Sequence, residues 1–540
     1  MPVGVAAVIV LAAGGGTRMK SAKSKLLHQL GGRSLLSWAL DAAVTVQPER
    51  LVVVVGQMRE QVEAHLDDIA PTAIRALQDV PHGTGHAVQV GLEALGEATG
   101  EIVVTYGDVP MLSGRALADL ISAHREDGNS VTVLTAVVDD PSGYGRIVRD
   151  GEAVAQIVED RDATPEQRQL REINAGIYVF DAALLRDGLA QLRADNAQGE
   201  LYLTDLVGYA RSLGQRVGAQ IEADVWQTMG VNDRVQLAAL NHEMNRRVLR
   251  EWMLAGVTVI DPATTWVDRS VSLAPDVEIW PDTVLRGATT VAEGAIIGPG
   301  TRLTDVEVGA NAQVLRSEAT LAVIGPGAVV GPFSYLRPGT ELGAAGKIGA
   351  FCETKNARLG AGTKVPHLTY CGDAVVGDGT NIGAGVIFAN YDGVHKHQTT
   401  VGAHSFVGSD SVLVAPAEVG DGAYVAAGSV VTTPVPPGDL AVGRARQRNL
   451  PGWVARQRPA TKSAAAAVAA DSRGPDDGPS TAAAAENWNL DDGSPVPCPT
   501  DPAAPNPDGG SPAPDSTDPA APDPGPDPGP PAASSTDPQE

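Results

Sequence analysis

The stretch Val401-Gly402-Ala403-His404-Ser405-Phe406-Val407-Gly408-Ser409-Asp410-Ser411-Val412-Leu413 places an aliphatic residue at every sixth position. The run continues through Val419, Val425 and Val431, and a second one reads Ile324, Val330, Leu336, Leu342, Ile348. Glycine often follows directly, as at Gly325, Gly331, Gly349, Gly402, Gly408 and Gly420. A period of six fits neither a helix nor an alternating strand. It is the hexapeptide period of a parallel β-helix, in which each short strand is followed by a tight turn. The aliphatic residue points inward and stacks on its copy one coil away, and the glycine relieves crowding at the turn. A solenoid is therefore expected from about Val291 to Val431.

A chain of 540 residues exceeds one ordinary core, so two or more domains are expected. Aromatic residues make up only 4% while glycine reaches 61 residues, which suits an aliphatic core with tight turns. A net charge of −25 argues against nucleic acid as the main partner. The three cysteines, Cys352, Cys371 and Cys498, form no CxxC pair and fit a reducing cytoplasm rather than a disulfide framework or zinc site. The apolar run Val3–Ala13 lacks a preceding basic residue, so no signal peptide is expected. No later apolar run reaches the roughly 18 residues of a membrane span, so no membrane insertion is expected.

Upstream of the solenoid, Val5–Leu11 reads as a buried strand opening into Leu11-Ala12-Ala13-Gly14-Gly15-Gly16-Thr17-Arg18-Met19. A strand, a Gly-rich loop and a helix make a nucleotide-phosphate site, because glycines let backbone N–H groups approach phosphate oxygens. Arg18 adds charge, and Lys25 follows within reach of a phosphate. An ordinary tight turn is the competing reading. Leu51–Val55 and Ile102–Thr105 read as further parallel strands with helical patterns between them, which means an α/β sheet. Gln78-Asp79-Val80-Pro81-His82-Gly83-Thr84-Gly85 suits a loop closing over a flat base. Asp108 lies just past a strand end, the edge at which open α/β sheets bind ligands. It is either a Mg²⁺ ligand or a helix N-cap. Asp233–Leu254 lacks Pro and Gly and spaces Leu237, Leu240, Met244, Val248 and Trp252 by threes and fours, which predicts one long helix.

The hexapeptide pattern breaks at Ala350–Tyr370 and at Phe388–Thr400, and both breaks are expected to be loops that carry function. They hold Glu353, Lys355, His367, Tyr370, Asn390, Tyr391 and Asp392, with Arg337 and Asn381 nearby. His367 suits a general base near neutral pH, with Glu353 as its orienting carboxylate. Arg337 and Lys355 suit an anionic substrate. A rival reading joins His367 with His395, His397 and His404 as a zinc site. Beyond the solenoid, 19 of the 39 prolines lie from Pro459 onward, and the residues after Lys462 carry a net −13. Such a segment buries too little apolar surface to offset its chain entropy and is expected to be disordered.

These stretches together resemble the bacterial bifunctional N-acetylglucosamine-1-phosphate uridylyltransferase / glucosamine-1-phosphate N-acetyltransferase family over residues 5–453. Leu11–Met19 and Ser21–Lys25 match its N-terminal signature, except that Ser24 stands where the family has proline, a departure that could loosen the loop placing Lys25. Pro366–Tyr370, Asn381–Gly385, Asn390–Gly393 and Val407–Asp410 match its later signatures. The resemblance implies a Rossmann-like α/β nucleotidyltransferase domain at 1–235, a linker helix at 236–256, a left-handed hexapeptide β-helix acetyltransferase domain at 257–455 and a disordered acidic tail at 456–540. It implies that Leu11, Ala12, Ala13, Gly14, Arg18 and Lys25 surround the UTP phosphates and that Gln78, Gly83 and Thr84 hold the uracil. Gly145, Glu159, Asn174 and Asn232 would hold the sugar, with Asp108 and Asn232 binding Mg²⁺. His367 would be the base for acetyl transfer, and Arg337, Lys355, Tyr370, Asn381 and Asn390 would bind glucosamine-1-phosphate. Ala384, Tyr391, Ser409, Ala427 and Arg444 would line the acetyl-CoA site. Family members are cytoplasmic homotrimers that make the UDP-N-acetylglucosamine precursor of peptidoglycan. Two other classes compete: a single-activity sugar-1-phosphate nucleotidyltransferase with a purely structural solenoid, and a non-catalytic homologue.

Overall fold

The computed structural model describes residues 4–472, which divide into one compact unit up to Ala445 and a second from Arg446. The first unit begins with a sheet whose strands lie in the order Val217–Ile221, Val131–Val137, Glu172–Asp181, Glu101–Tyr106, Ala7–Ala12, Arg50–Val55, Ile74–Leu77. Ala7–Ala12 is fully buried and pairs in parallel with Arg50–Val55 on one side and Glu101–Tyr106 on the other. Helices cover both faces, as the near-continuous apolar strands require. The sequential order reverses around the first strand. The loops after Ala12 and Tyr106 therefore diverge and open a crevice between them.

Helix Arg234–Leu254 follows the sheet, capped by Asp233, whose side chain accepts from the N–H groups of Val235 and Gln236. Its Leu240, Met244, Val248 and Leu249 join one continuous apolar core. That core runs from Met19, Leu30 and Leu35 of the sheet region into the solenoid as far as Val435.

From Thr258 to Ala441 the chain winds as parallel strands stacked one coil above another, as in a left-handed β-helix. Val330 pairs with Ile348, Ile348 with Val365, and Val407 with Val425, each buried on its copy. The glycine after each aliphatic residue has a steric cause. A Cβ on Gly402 would lie 2.4 Å from the Asp421 backbone nitrogen of the next coil. Coil length varies between neighbours: Val330 to Ile348 spans 18 positions, Ile348 to Val365 spans 17, and Ile382 to Val407 spans 25.

That variation corrects one expectation. Ala350–Tyr370 is not a loop. It holds the strand Glu353–Leu359, paired in register with Tyr370–Val376, and the strand Lys364–His367. The period slips because the 17-residue coils omit one residue. Their seven-residue strands turn a corner through a single left-handed residue, Asn356 (φ 44°) or Asp373 (φ 50°). The other break is a true insertion, with residues 390–398 standing out from the 25-residue coil.

In the second unit, Trp453–Gln457 and Lys462–Asp471 are helical. The expected disorder therefore does not begin at 456. The alanine run Ala464–Ala467 has high helix propensity, and the Thr461 hydroxyl caps it by accepting from the Ala464 N–H. Residues 473–540, where the rest of that expectation falls, lie outside the described residues.

Candidate functional sites

The loop after the first strand and the loop after Tyr106 meet in one cleft. Its floor is Leu11, Ala12, Ala13 and Gly14; its sides are Lys25, Gln78, Gly83, Thr84, Asp108 and Asn232. The cleft has a volume of about 450 Å³ and continues into a second hollow lined by Gly145, Glu159 and Asn174. The two share Thr84, Tyr106, Asp108, Glu200 and Asn232. A phosphoryl group at the junction would thus face both a base-sized and a sugar-sized compartment. Arg18 lines neither and is exposed. A long helix does not follow that loop. A three-residue turn, Thr17–Met19, does, so the N–H groups of the glycine loop rather than a helix dipole face the cleft.

The Lys25 ammonium is ion-paired with the Asp108 carboxylate and lies 3.3 Å from Asn232 Oδ1. Asp108 is not the cap of the next helix; Ser113 is, accepting from the Ala116 N–H. A carboxylate and an amide oxygen converging on one cation are the hard donors that Mg²⁺ takes, so this pair fits the metal that the family resemblance implies. Gln78 is buried and donates to the Gly83 carbonyl at 3.2 Å, which fixes the rim of the base compartment. In the sugar compartment, the Asn174 N–H donates to the Gly145 carbonyl at 2.8 Å, and its side-chain oxygen accepts from the Gly176 N–H. Glu159 accepts from the Thr204 hydroxyl at 3.3 Å, and burial holds its carboxyl above the usual carboxylate range. Burial, together with the charges of Glu159 and Asp108, raises the Tyr106 hydroxyl likewise.

On the solenoid the expected residues fall into two sets. Arg337, Lys355, Tyr370 and Asn390 flank strands of one sheet. Asn390 Nδ2 donates to Asp373 Oδ2 at 2.5 Å and lies 3.3 Å from the Tyr370 hydroxyl. Lys396, at the base of the insertion, stands beside Lys355 and lowers its pKa. Two ammonium groups held together mark a place for an anion. Lys396 was missed because a lone lysine in a polar loop carries no spacing signal; Tyr106, Glu200 and Asp373 lie in no motif either.

The second set runs along another sheet. The ladder bonds Gly385 N–H to His367 O, Asp410 N–H to Ala384 O, and Gly428 N–H to Ser409 O stack His367, Ala384, Ser409 and Ala427 in one column. At ~4.8 Å per coil the column is roughly 14 Å long. Arg444 lies against Gly428 at its end, and Asn381 stands half-buried in the same coil as Ala384. Tyr391 is exposed on the insertion, its hydroxyl donating to the Gly393 carbonyl.

Among the described residues no hydrogen bond or ion pair joins the two sets. Glu353 therefore does not orient His367 within the chain: its partner is Arg337, at 2.8 Å. The two residues sit on different sheets of the coil, a separation that their closeness in sequence conceals. The zinc reading fails too. Among the described residues no three His, Cys, Asp or Glu side chains converge on a metal site. His397 is paired with Asp392 at 2.8 Å instead.

A model of the MobA-like NTP transferase domain matches residues 8–200. Over 472 residues the chain is 55% identical to the bifunctional protein GlmU of Pseudarthrobacter chlorophenolicus, covering 86% of this chain and 96% of the relative. It is 55% identical over 467 residues to that of Kineococcus radiotolerans, covering 86% and 95%. It is 56% identical over 467 residues to that of Streptomyces coelicolor, covering 86% and 97%.

Proposed function

From the premise that this chain belongs to the family of bifunctional GlmU proteins, we propose how its two sites divide the work. The chain is a bifunctional enzyme of UDP-N-acetylglucosamine synthesis. It acetylates glucosamine-1-phosphate from acetyl-CoA and transfers UMP from UTP to the resulting N-acetylglucosamine-1-phosphate, releasing pyrophosphate. We assign uridylyl transfer to residues 1–235 and acetyl transfer to 257–455, joined by 236–256.

For uridylyl transfer, Gln78, Gly83 and Thr84 take the uracil and the N–H groups of Ala13 and Gly14 take UTP phosphate oxygens. Gly145, Glu159, Asn174 and Asn232 hold the sugar so that its phosphate faces the α-phosphorus in line. The protein's work here is positioning and charge neutralisation. Asp108 and Asn232 would hold Mg²⁺, which when bound would supply positive charge at the reacting phosphate. Lys25, now paired with Asp108, would yield that place to the metal and turn to a phosphate oxygen. Arg18, exposed beside the cleft, is assigned a supporting role in sharing the phosphate charge.

For acetyl transfer, His367 takes the proton released as the substrate amine attacks the thioester carbonyl; the C–S bond then breaks and CoA leaves as a thiolate that is protonated to the thiol. Arg337, Lys355, Lys396, Tyr370, Asn381 and Asn390 hold the sugar phosphate. Ala384, Ser409 and Ala427 form a flat track for the pantetheine arm, toward Arg444 and Tyr391. The observation that carries this reading is the division of the solenoid residues into two sets on different sheets of one chain. Such a division suits a homotrimer, in which one copy's His367 column meets its neighbour's Arg337–Lys355 cluster. An apolar ladder at the corner beside His367 supports the same assembly. Phe333 and Phe351 stack with centroids 5.4 Å apart, and with Leu368 they are 53%, 60% and 62% exposed. No helix among the described residues is long and apolar enough to cross a membrane. The free, buried Cys352 and Cys371 and the soluble substrates support a cytoplasmic location.

The test is a coupled assay with glucosamine-1-phosphate, acetyl-CoA, UTP and Mg²⁺, omitting each in turn. Omitting acetyl-CoA should abolish UDP-sugar formation unless N-acetylglucosamine-1-phosphate is supplied. Pyrophosphate release independent of acetyl-CoA from glucosamine-1-phosphate would favour the single-activity reading.

A further inference from the structure

The loop that delivers Lys25 to the reacting phosphates has no proline, although it runs through a proline-like backbone. Ser24 lies at φ −53° and ψ 139°, and its side chain is 3% exposed. Its N–H donates to Gln61 Oε1 at 2.9 Å, and Gln61 Nε2 donates to the Ala22 carbonyl at 3.0 Å. Gln61 thus grips the loop at Ala22 and at Ser24, on the two sides of Lys23, just ahead of Lys25. Lys25 then opens a single 3-10 turn, closed by the Leu27 N–H donating to the Ser24 carbonyl at 3.1 Å. The glycine loop packs on its Cβ, which leaves no room for a side chain at Gly16. The same helix, Arg59–Ile69, is preceded by Gln57, which abuts Gly15.

We infer that Gln61 is a positioning residue for Lys25, its paired hydrogen bonds supplying the rigidity that a proline ring would supply at position 24. A proline fixes φ near −65° and removes the backbone donor. Gln61 instead satisfies that donor and immobilises it, so the lysine stem emerges in one direction. Without the side chain, the Ser24 N–H would be a buried, unpaired donor and the loop would relax toward water. Displacement of a reacting group by about 1 Å costs up to ~10²-fold in rate. The effect is confined to uridylyl transfer, since among the described residues no hydrogen bond or ion pair joins this loop to the solenoid.

This inference rests on the proposed role of Lys25, and the experiment separates the two. Uridylyl transfer is measured from N-acetylglucosamine-1-phosphate and UTP, alongside acetylation, for the full chain and for Gln61→Ala, Gln61→Glu and the double variant Gln61→Ala/Ser24→Pro. Gln61→Ala should lower kcat/KM for UTP roughly tenfold, through kcat more than KM, with acetylation unchanged. Adding Ser24→Pro should restore it to within about threefold, because the ring fixes the same φ and deletes the orphaned donor. Gln61→Glu, which can still accept from Ser24, should fall between wild type and Gln61→Ala. Should the double variant fail to fold, shown by circular dichroism and a lost thermal transition, the Gln61→Glu ranking decides alone. Wild-type rates in Gln61→Ala, or equal losses in Gln61→Ala and Gln61→Glu, would overturn the inference. So would a folded double variant that is not restored. If Lys25→Ala itself left uridylyl transfer intact, the role of Lys25 would fall instead.

Discussion

Glu159 shows how far a single carboxylate depends on its surroundings. Burial is the largest influence on it and raises its pKa above 4.5, against the hydrogen bond from Thr204. Its folded-state pKa exceeds the unfolded one, so the group favours folding more as pH falls and less once ionised. A sugar hydroxyl, however, is best accepted by the ionised form. Uridylyl transfer should therefore lose its sugar-phosphate affinity as pH falls through that raised pKa, above the normal carboxylate range. Glu159→Gln should weaken KM for the sugar phosphate and flatten this acid limb; a KM profile identical to wild type would remove Glu159 from the site. At the other site, His367→Ala should slow acetylation by ~10²–10⁴-fold with little change in acetyl-CoA affinity. Acetylation within about threefold of wild type would make His367 a bystander. His367 stood out because it lies in a signature stretch, whereas Glu159 entered only as what the family resemblance implies. The partner of His367 was not legible. Glu353 is close in sequence, but the coil puts it on another sheet beside Arg337.

At the scale of elements, the solenoid was legible because most of its inward positions hold aliphatic residues stacked on their copies, with Thr354, Cys371 and Phe388 among the exceptions. The coil boundaries were less so. A coil shortened by one residue looks like a broken repeat, and only the left-handed corner at Asn356 or Asp373 reveals that it is continuous. The insertion at 390–398 is built differently. The Asp392 carboxylate accepts from the Val394 and His395 N–H groups and from the His397 ring, and these hold its pKa down to about 2. Asp392→Ala should free the loop that carries Lys396 and raise KM for glucosamine-1-phosphate several-fold, leaving UTP kinetics alone. An unchanged KM would separate the loop from the substrate. Gly402→Ala tests the stacking itself. Its Cβ would meet the Asp421 nitrogen at 2.4 Å, so denaturation should show a loss of roughly 1–3 kcal/mol. An unaltered midpoint would mean that the coils have slack.

At the scale of the whole molecule, the residues after Asp471 are acidic, proline-rich and carry no hexapeptide repeat in their sequence. Deleting residues 473–540 should leave both activities and the trimer in place, as checked by sedimentation and both assays; a monomer or a tenfold loss in either rate would assign them a role. The sheet and the solenoid were legible because each has its own period. The assembly was left to inference, because a half-site divided between sheets has no linear signature. The most direct test of two independent centres on one chain pairs Asp108→Ala with His367→Ala. Each purified variant is assayed for both half-reactions, and the two are then mixed with glucosamine-1-phosphate, acetyl-CoA, UTP and Mg²⁺. Asp108→Ala should acetylate without uridylylating, His367→Ala should do the reverse, and the mixture should again make UDP-N-acetylglucosamine through the released intermediate. Loss of both half-reactions in either folded variant, or a mixture that stays inactive, would contradict the division.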